Sequence, residues 1–368
     1  MSKSRLHQLS ELGQSVWIDS VSREWLGTGE LARMMDEDAV VGVTSNPTIF
    51  EKAMAEGDWY DDQLREVLAE TDDPKEIFFA LASDDIRDAC DLLRSAWDVS
   101  QGLDGYVSFE VEPGLARDTE GTIEQAQRFH DEIARPNVYV KIPATKAGLP
   151  AIEEMIARGK NINVTLIFSL ERYAEVADAY IRGLERLVEA GGDPTRVASV
   201  ASFFVSRVDT EADKRLDAIG GHDHLKGRLA VANAKLAYQR YKEIFSGARW
   251  DALAAKGGSP QRCLWASTST KNPEYRDVMY VEELIGPETV NTMPKETIGA
   301  FQDHGEVRPT LEQGLDEARM LLDELAQAGI DYDDVTRVLE EEGVQKFSDS
   351  FDDLLEGIRA KRGQLVSA

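Results

Sequence analysis

A lysine inside an apolar run is the residue of this chain with the clearest chemical potential. Lys141 stands in VYVKIPA, where Val138, Val140 and Ile142 project to one face of an extended segment and Tyr139, Lys141 and Pro143 to the other. A charged lysine there is costly to bury, so it must be ion-paired, neutral, or open to a cleft. Burial favours the neutral amine, which is the form that adds to a carbonyl and makes a Schiff base. The plainer alternative is a structural ion pair with Glu110 or Asp19. Those two carboxylates end other apolar runs, SVWID and GYVSFEVE. Schiff-base chemistry needs one group to move protons while a carbinolamine forms and dehydrates, and another to accept a hydroxyl proton when a carbon–carbon bond breaks. A pair of strand-end carboxylates also suits a glycosidase. Lys141 discriminates, because a glycosidase has no need of it.

More polar residues close further apolar runs: Thr44 with Asn46, Asn163 with Thr165, Ser202 with Arg207, Ser267, and Asn291. Each alone reads as a helix cap or turn former. Together they mark one face of one architecture. His222 and His224 in GGHDH lack a third ligand at usable spacing, so they read as a solvated turn and not a metal site. The run Glu340, Glu341, Glu342 reads as a solvated helix face.

The elements that must position these groups recur along the chain. Eight short, nearly continuous apolar runs suit parallel strands buried on both faces: residues 15–19, 39–46, 105–112, 137–144, 162–169, 197–204, 262–268 and 288–294. Helical periodicity lies between them, as in 123–133 and 170–189, where Tyr173, Val176, Ala177, Tyr180, Leu184 and Leu187 recur at threes and fours. Eight strands with crossover helices predict an α/β fold, a (β/α)8 barrel whose strand ends carry the active site. An open doubly wound sheet would show a glycine-rich turn after its first strand, which SVWIDSVSREWLG lacks. Additional helices are expected after strand two, in 47–104 with a long one over 74–99, and three more in the tail from about 295 to 368. The last carries a stripe of Phe347, Phe351, Leu354, Leu355 and Ile358 that packs on the barrel or, in a homodimer, on a second copy. Residues 1–368 read as a single barrel domain with this helical extension docked on it.

Composition bounds the rest. Asp and Glu number 68 against 41 Lys and Arg, a net charge of −27, and 42% of residues are hydrophobic, enough for a large core. Such a negative field disfavours nucleic acid and anionic membranes as partners. With two cysteines, Cys90 and Cys263, in no metal-ligand spacing, no signal peptide and no long apolar span, the expectation is a cytoplasmic protein without disulfides.

The segments SVWIDS, VTSNPTIF, SFEVEP, YVKIPAT, NINVTLIFS, ASFFVSRVD, LWASTSTKNP and EGVQKFSDSF, in this order between about Leu6 and Ile358, resemble the transaldolase family in its longer bacterial form. The resemblance implies a (β/α)8 barrel with its Schiff-base lysine on strand four, no cofactor, and transfer of a dihydroxyacetone unit between sugar phosphates. Carried over by position, Lys141 is the nucleophile, Asp19 the acid/base at the breaking bond, Glu110 the acid/base acting through a water, and Thr165 the group holding that water. Asn46, Asn163 and Ser202 match residues that bind ketose hydroxyls, and Arg207 and Ser267 match phosphate contacts. Many shorter members place an arginine two residues beyond the serine matching Ser267; here that position is Ser269, and the nearest cation is Lys271. Aldolase-like members tend to carry a tyrosine where this chain has Phe204, whose ring can neither orient water nor donate a proton. That favours transfer over the alternative, a fructose 6-phosphate aldolase that releases dihydroxyacetone. A non-catalytic sugar-phosphate-binding barrel would keep Arg207 and Ser267 without needing Lys141, Asp19 and Glu110.

Overall fold

The computed structural model describes residues 4–55 and 57–367. The eight runs are eight parallel strands: β1 (Gln14–Ile18), β2 (Val40–Thr44), β3 (Tyr106–Glu110), β4 (Val138–Pro143), β5 (Ile162–Ile167), β6 (Ser199–Phe204), β7 (Arg262–Ala266) and β8 (Thr289–Met293). Each pairs with its neighbours in sequence and β8 returns to β1, so the sheet closes into a (β/α)8 barrel with no free edge. Several strands stop short of the apolar run that announced them; the run 162–169, for example, ends as a strand at Ile167, and its Ser169 caps the next helix.

Helices cover the outside, and their ends follow local chemistry. Asp73 caps the helix Pro74–Val99 by accepting from Lys75 N at 2.9 Å, with proline in the first turn where its missing N–H costs nothing. Ser169 caps Leu170–Glu189 by accepting from Arg172 N at 3.0 Å, and the predicted stripe from Tyr173 to Leu184 is buried. Cys90 and Cys263 are free and buried. Among the described residues no helix is long and apolar enough to cross a membrane.

One close approach deserves a measurement. A Cβ on Gly42 of β2 would lie 2.3 Å from the ring of Trp17 on β1, which is fully buried and donates from Nε1 to Asp104 Oδ1 at 3.1 Å. An indole has no smaller rotamer to adopt. Gly42→Val is therefore expected to destabilise the barrel by about 1–3 kcal/mol through overpacking, read as a lower urea midpoint at unchanged slope. An unshifted midpoint would mean that Trp17 moves freely.

The expected helices after strand two are Pro47–Ala55, Asp61–Val67 and Pro74–Val99, and those of the tail are Lys295–His304, Leu315–Gln327 and Tyr332–Ser367. The last, here the C-terminal helix, has 36 residues, about 54 Å at 1.5 Å per residue. That length crosses the whole barrel mouth. It starts where Tyr332 accepts from Leu170 N at 3.0 Å and donates to Asn233 Oδ1 at 2.6 Å. Glycine at 343 then lets it lie close over the end of β5, since a Cβ there would meet Leu166 at 2.9 Å. Further along, Thr48 donates to Ser350 at 2.7 Å, Phe351 meets Phe78 and Phe79 with ring centres 5.6 and 6.1 Å away, and Lys361 pairs with Asp61 at 2.8 Å. The stripe thus docks on the barrel of its own chain, with Phe347, Leu354, Leu355 and Ile358 buried.

Candidate active site

Register brings the chemistry together. Glu110 on β3 is level with Lys141 on β4, and Lys141 with Asn163 on β5, so three polar side chains share one rung of the barrel. Lys141 is 5% exposed and donates to Glu110 Oε2 and to the carbonyl of Ser45, both at 2.9 Å. The ion pair weighed as the alternative reading is therefore present, and it involves the residue that would also move protons. Burial pushes the Glu110 carboxyl above its ordinary value, and the adjacent ammonium pulls the other way.

Asp19, just past β1, accepts from the Thr44 hydroxyl at 2.6 Å, and that hydroxyl is 2.7 Å from Thr292 on β8. The Asp19 carboxyl is reachable from the mouth yet walled in by protein. Desolvation raises its pKa; the bond from Thr44, Lys141 and Arg207 oppose the rise.

These groups face a cavity of about 570 Å³ at the C-terminal end of the strands, where barrels of this kind hold their ligands. Lys141, Asp19, Thr165, Asn46, Ser202, Phe204, Arg207, Ser267 and Lys271 all line it. Asn46 also accepts from Ile49 N at 3.1 Å through Oδ1, so it caps the helix Pro47–Ala55 and keeps its amide nitrogen for another partner. Arg207 lies in the first turn of Ser206–Ile219, with its guanidinium 5.1 Å from the ring centre of Phe204. Ser267 takes φ +57°, a left-handed conformation that strains a non-glycine residue, and its hydroxyl sits 2.9 Å from that of Ser206. Leu166, after Thr165, has φ +60° at a break in the β5–β6 register, a bulge that ends the strand at the mouth. Lys271 donates to Ser269 at 2.8 Å, which folds the loop back so that a cation enters the cavity near the serine.

Three predicted residues do not line this cavity. Glu110 stands behind Lys141. Asn163 is fully buried, accepting from Ser202 Oγ at 2.7 Å and donating to Ser108 Oγ at 3.0 Å, so both ends of its amide are committed to protein. On β8 it is Thr292 that reaches the mouth, while Asn291 is buried and accepts from Thr268 at 2.8 Å.

Sequence reasoning missed the contribution of the C-terminal helix. Phe347 lies with its ring centre 5.8 Å from both Lys141 Nζ and the Arg207 guanidinium, roofing the lysine. Periodicity showed the stripe containing Phe347 but not which part of it overhangs the barrel. Glu342, read as part of a solvated face, is on the cavity rim, and Glu340 pairs with Arg172 at 3.5 Å. The Ser45 carbonyl that holds Lys141 is backbone and has no side-chain signature.

The family described as Transaldolase/Fructose-6-phosphate aldolase matches residues 16–358. The chain is 52% identical to a transaldolase of Parafrankia sp. (strain EAN1pec) over 98% of its own length and 99% of that protein's. It is 51% identical to the transaldolase of Frankia alni, with 98% of each chain covered, and 51% identical to that of Mycolicibacterium paratuberculosis, with 97% of each covered. Matches of this extent leave no part of the barrel outside the comparison, and the chain belongs to the transaldolase/fructose-6-phosphate aldolase family.

Proposed function

We propose that the protein is a transaldolase, reversibly converting sedoheptulose 7-phosphate and glyceraldehyde 3-phosphate to erythrose 4-phosphate and fructose 6-phosphate through a Schiff base on Lys141. The observation that carries this reading is the buried Lys141–Glu110 pair opening on the cavity that also holds Asp19.

A proton passed from the Lys141 ammonium to Glu110 frees the amine, which adds to the ketone carbon of the bound sugar. Glu110 then returns a proton to the carbinolamine oxygen, which leaves as water. Thr165 is suited to hold that water, since its buried hydroxyl has no protein partner. The resulting iminium is an electron sink. Asp19 takes the C4 hydroxyl proton, the C3–C4 bond breaks with its electrons passing to the iminium, and an aldose phosphate departs. The three-carbon enamine stays on Lys141 until a second aldose phosphate accepts it, which is ping-pong covalent catalysis. Asn46 and Ser202 would bind hydroxyls, with Asn163 orienting Ser202. Arg207, Ser267 and Lys271 would bind the phosphate, aided by the positive end of Ser206–Ile219.

Retention of the enamine separates transfer from aldolase release, and Phe204 supports transfer. Its ring is 7% exposed, packs 5.3 Å from Phe168 and lines the cavity without offering a proton. Fructose 6-phosphate alone should yield little free dihydroxyacetone, and adding erythrose 4-phosphate should produce sedoheptulose 7-phosphate. Phe204→Tyr should raise dihydroxyacetone release severalfold relative to transfer. Rapid stoichiometric release by the unaltered protein would instead identify an aldolase.

A further inference from the structure

The cavity holds cations that the scheme above does not use. Lys52, on the helix Pro47–Ala55, and Lys346, on the C-terminal helix, line it together with Arg207 and Lys271. Among the described residues none of these four forms an ion pair. Other described cations, such as Lys146, Lys256 and Arg359, also form no ion pair, but these four share one cavity in a chain of net charge −27. Arg33, Arg128, Arg186 and Arg249 each take two or more. Glu342 precedes Lys346 by four residues, the spacing of a helical ion pair, yet the two do not join.

The contrast with the other end of the barrel is direct. A larger cavity, of about 1070 Å³, opens there and is lined by Arg262, Arg135, Lys160 and Arg196. Each of those is matched to a carboxylate: Arg262 to Asp104 at 3.1 Å, Arg135 to Asp91 at 2.6 Å, Lys160 to Asp131 at 3.3 Å and Arg196 to Asp193 at 3.5 Å. Among the described residues, no Lys or Arg lining that cavity is left without a carboxylate partner. At the mouth, desolvation lowers the Lys271 pKa first, and Arg207, Lys346 and Lys52 lower it further while Asp19 opposes them. Cations gathered in one cavity without a direct carboxylate partner are the arrangement of a site that receives a multiply charged anion.

Lys346 is placed there by its neighbours. Phe347 seats the helix over Lys141 and Arg207, and the Thr48–Ser350 hydrogen bond ties the helix bearing Lys346 to the helix bearing Lys52. We propose that Lys346, with Lys52 on the adjoining helix, forms the outer part of the binding site for the substrate's phosphate monoester, so that the C-terminal helix supplies substrate recognition as well as a roof. This deepens the sugar-phosphate reading and rests on it.

The test is the concentration dependence of borohydride trapping on Lys141, which needs no acceptor, measured with fructose 6-phosphate and with fructose. Lys346→Met should raise the half-saturating concentration of fructose 6-phosphate about tenfold or more, the loss of one charge-assisted contact, while leaving that of fructose unchanged. Lys346→Arg should restore most of the affinity, Lys52→Met should act in the same direction, and the exposed Lys256→Met should do nothing. Unchanged affinity for fructose 6-phosphate in Lys346→Met would overturn the proposal. So would equal losses with fructose, which would mean that Lys346 only positions the helix. Calorimetric titration with inorganic phosphate keeps the two readings apart. If the unaltered protein forms no adduct at Lys141, the transaldolase reading falls; weaker phosphate binding in Lys346→Met then still supports the anion site, and equal binding refutes it.

Discussion

Lys141→Ala should lower transfer activity on the order of 10⁴-fold or more, because no other group can form the covalent intermediate and only binding remains. In the unaltered protein, borohydride with fructose 6-phosphate should leave a reduced sugar adduct on the peptide containing Lys141, found by mass mapping, and in the variant that adduct should vanish. Labelling at Lys146 or Lys271 would sink the assignment. The variant should still fold, since the barrel interior is filled from other strands, but its stability should depend more on pH. With the ammonium gone, burial acts on Glu110 unopposed and its carboxyl rises further above the ordinary value. A carboxyl raised in the folded state favours folding at acid pH and opposes it as pH climbs from the ordinary value through the folded one. The stability deficit of Lys141→Ala should therefore grow from acid toward neutral pH, as urea midpoints at several pH values would record.

Asp19→Asn should slow transfer by about 10²–10⁴-fold, the range for a lost acid/base group, while leaving Schiff-base formation close to normal. The asparagine keeps the size of the side chain and can still meet Thr44, so geometry survives and basicity does not. Glu110→Gln should do the reverse and slow trapping itself, because the proton must leave Lys141 before it can attack. Single-turnover trapping separates the two, and equal trapping rates in both variants would reject the division of labour. Burial also raises Asp19, so the acid limb of kcat/KM should lie above the ordinary aspartate value and disappear in Asp19→Asn.

Local chemistry made much of this legible in the sequence. A strand buried on both faces must be a nearly unbroken apolar run, so eight such runs announced eight strands and a barrel. A lysine, an aspartate and a glutamate in such runs are costly to bury, and the structure places Lys141 and Asp19 on the mouth cavity with Glu110 behind the lysine. Asn163 was equally visible by type, but its orientation depended on Ser202 and Ser108, which come from β6 and β3. No spacing rule in one strand encodes what two others offer.

The amino-acid sequence by itself determined the barrel, the strand bearing the lysine, the apolar stripe of the last helix and, through likeness of motif, the family. Only the tertiary structure decided that the stripe runs across the mouth so that Phe347 roofs Lys141, that the Ser45 carbonyl shares Lys141 with Glu110, and that Lys346 and Lys52 face the same cavity as Arg207. The reason lies in the range of the forces involved. Strand and helix patterns report burial within one segment, which side-chain periodicity records directly. The course of a long helix over a barrel is set by contacts about three hundred residues away in the chain, such as Ser350 with Thr48 and Lys361 with Asp61, and a backbone carbonyl or an exposed lysine carries no local mark of the partner that folding will bring to it.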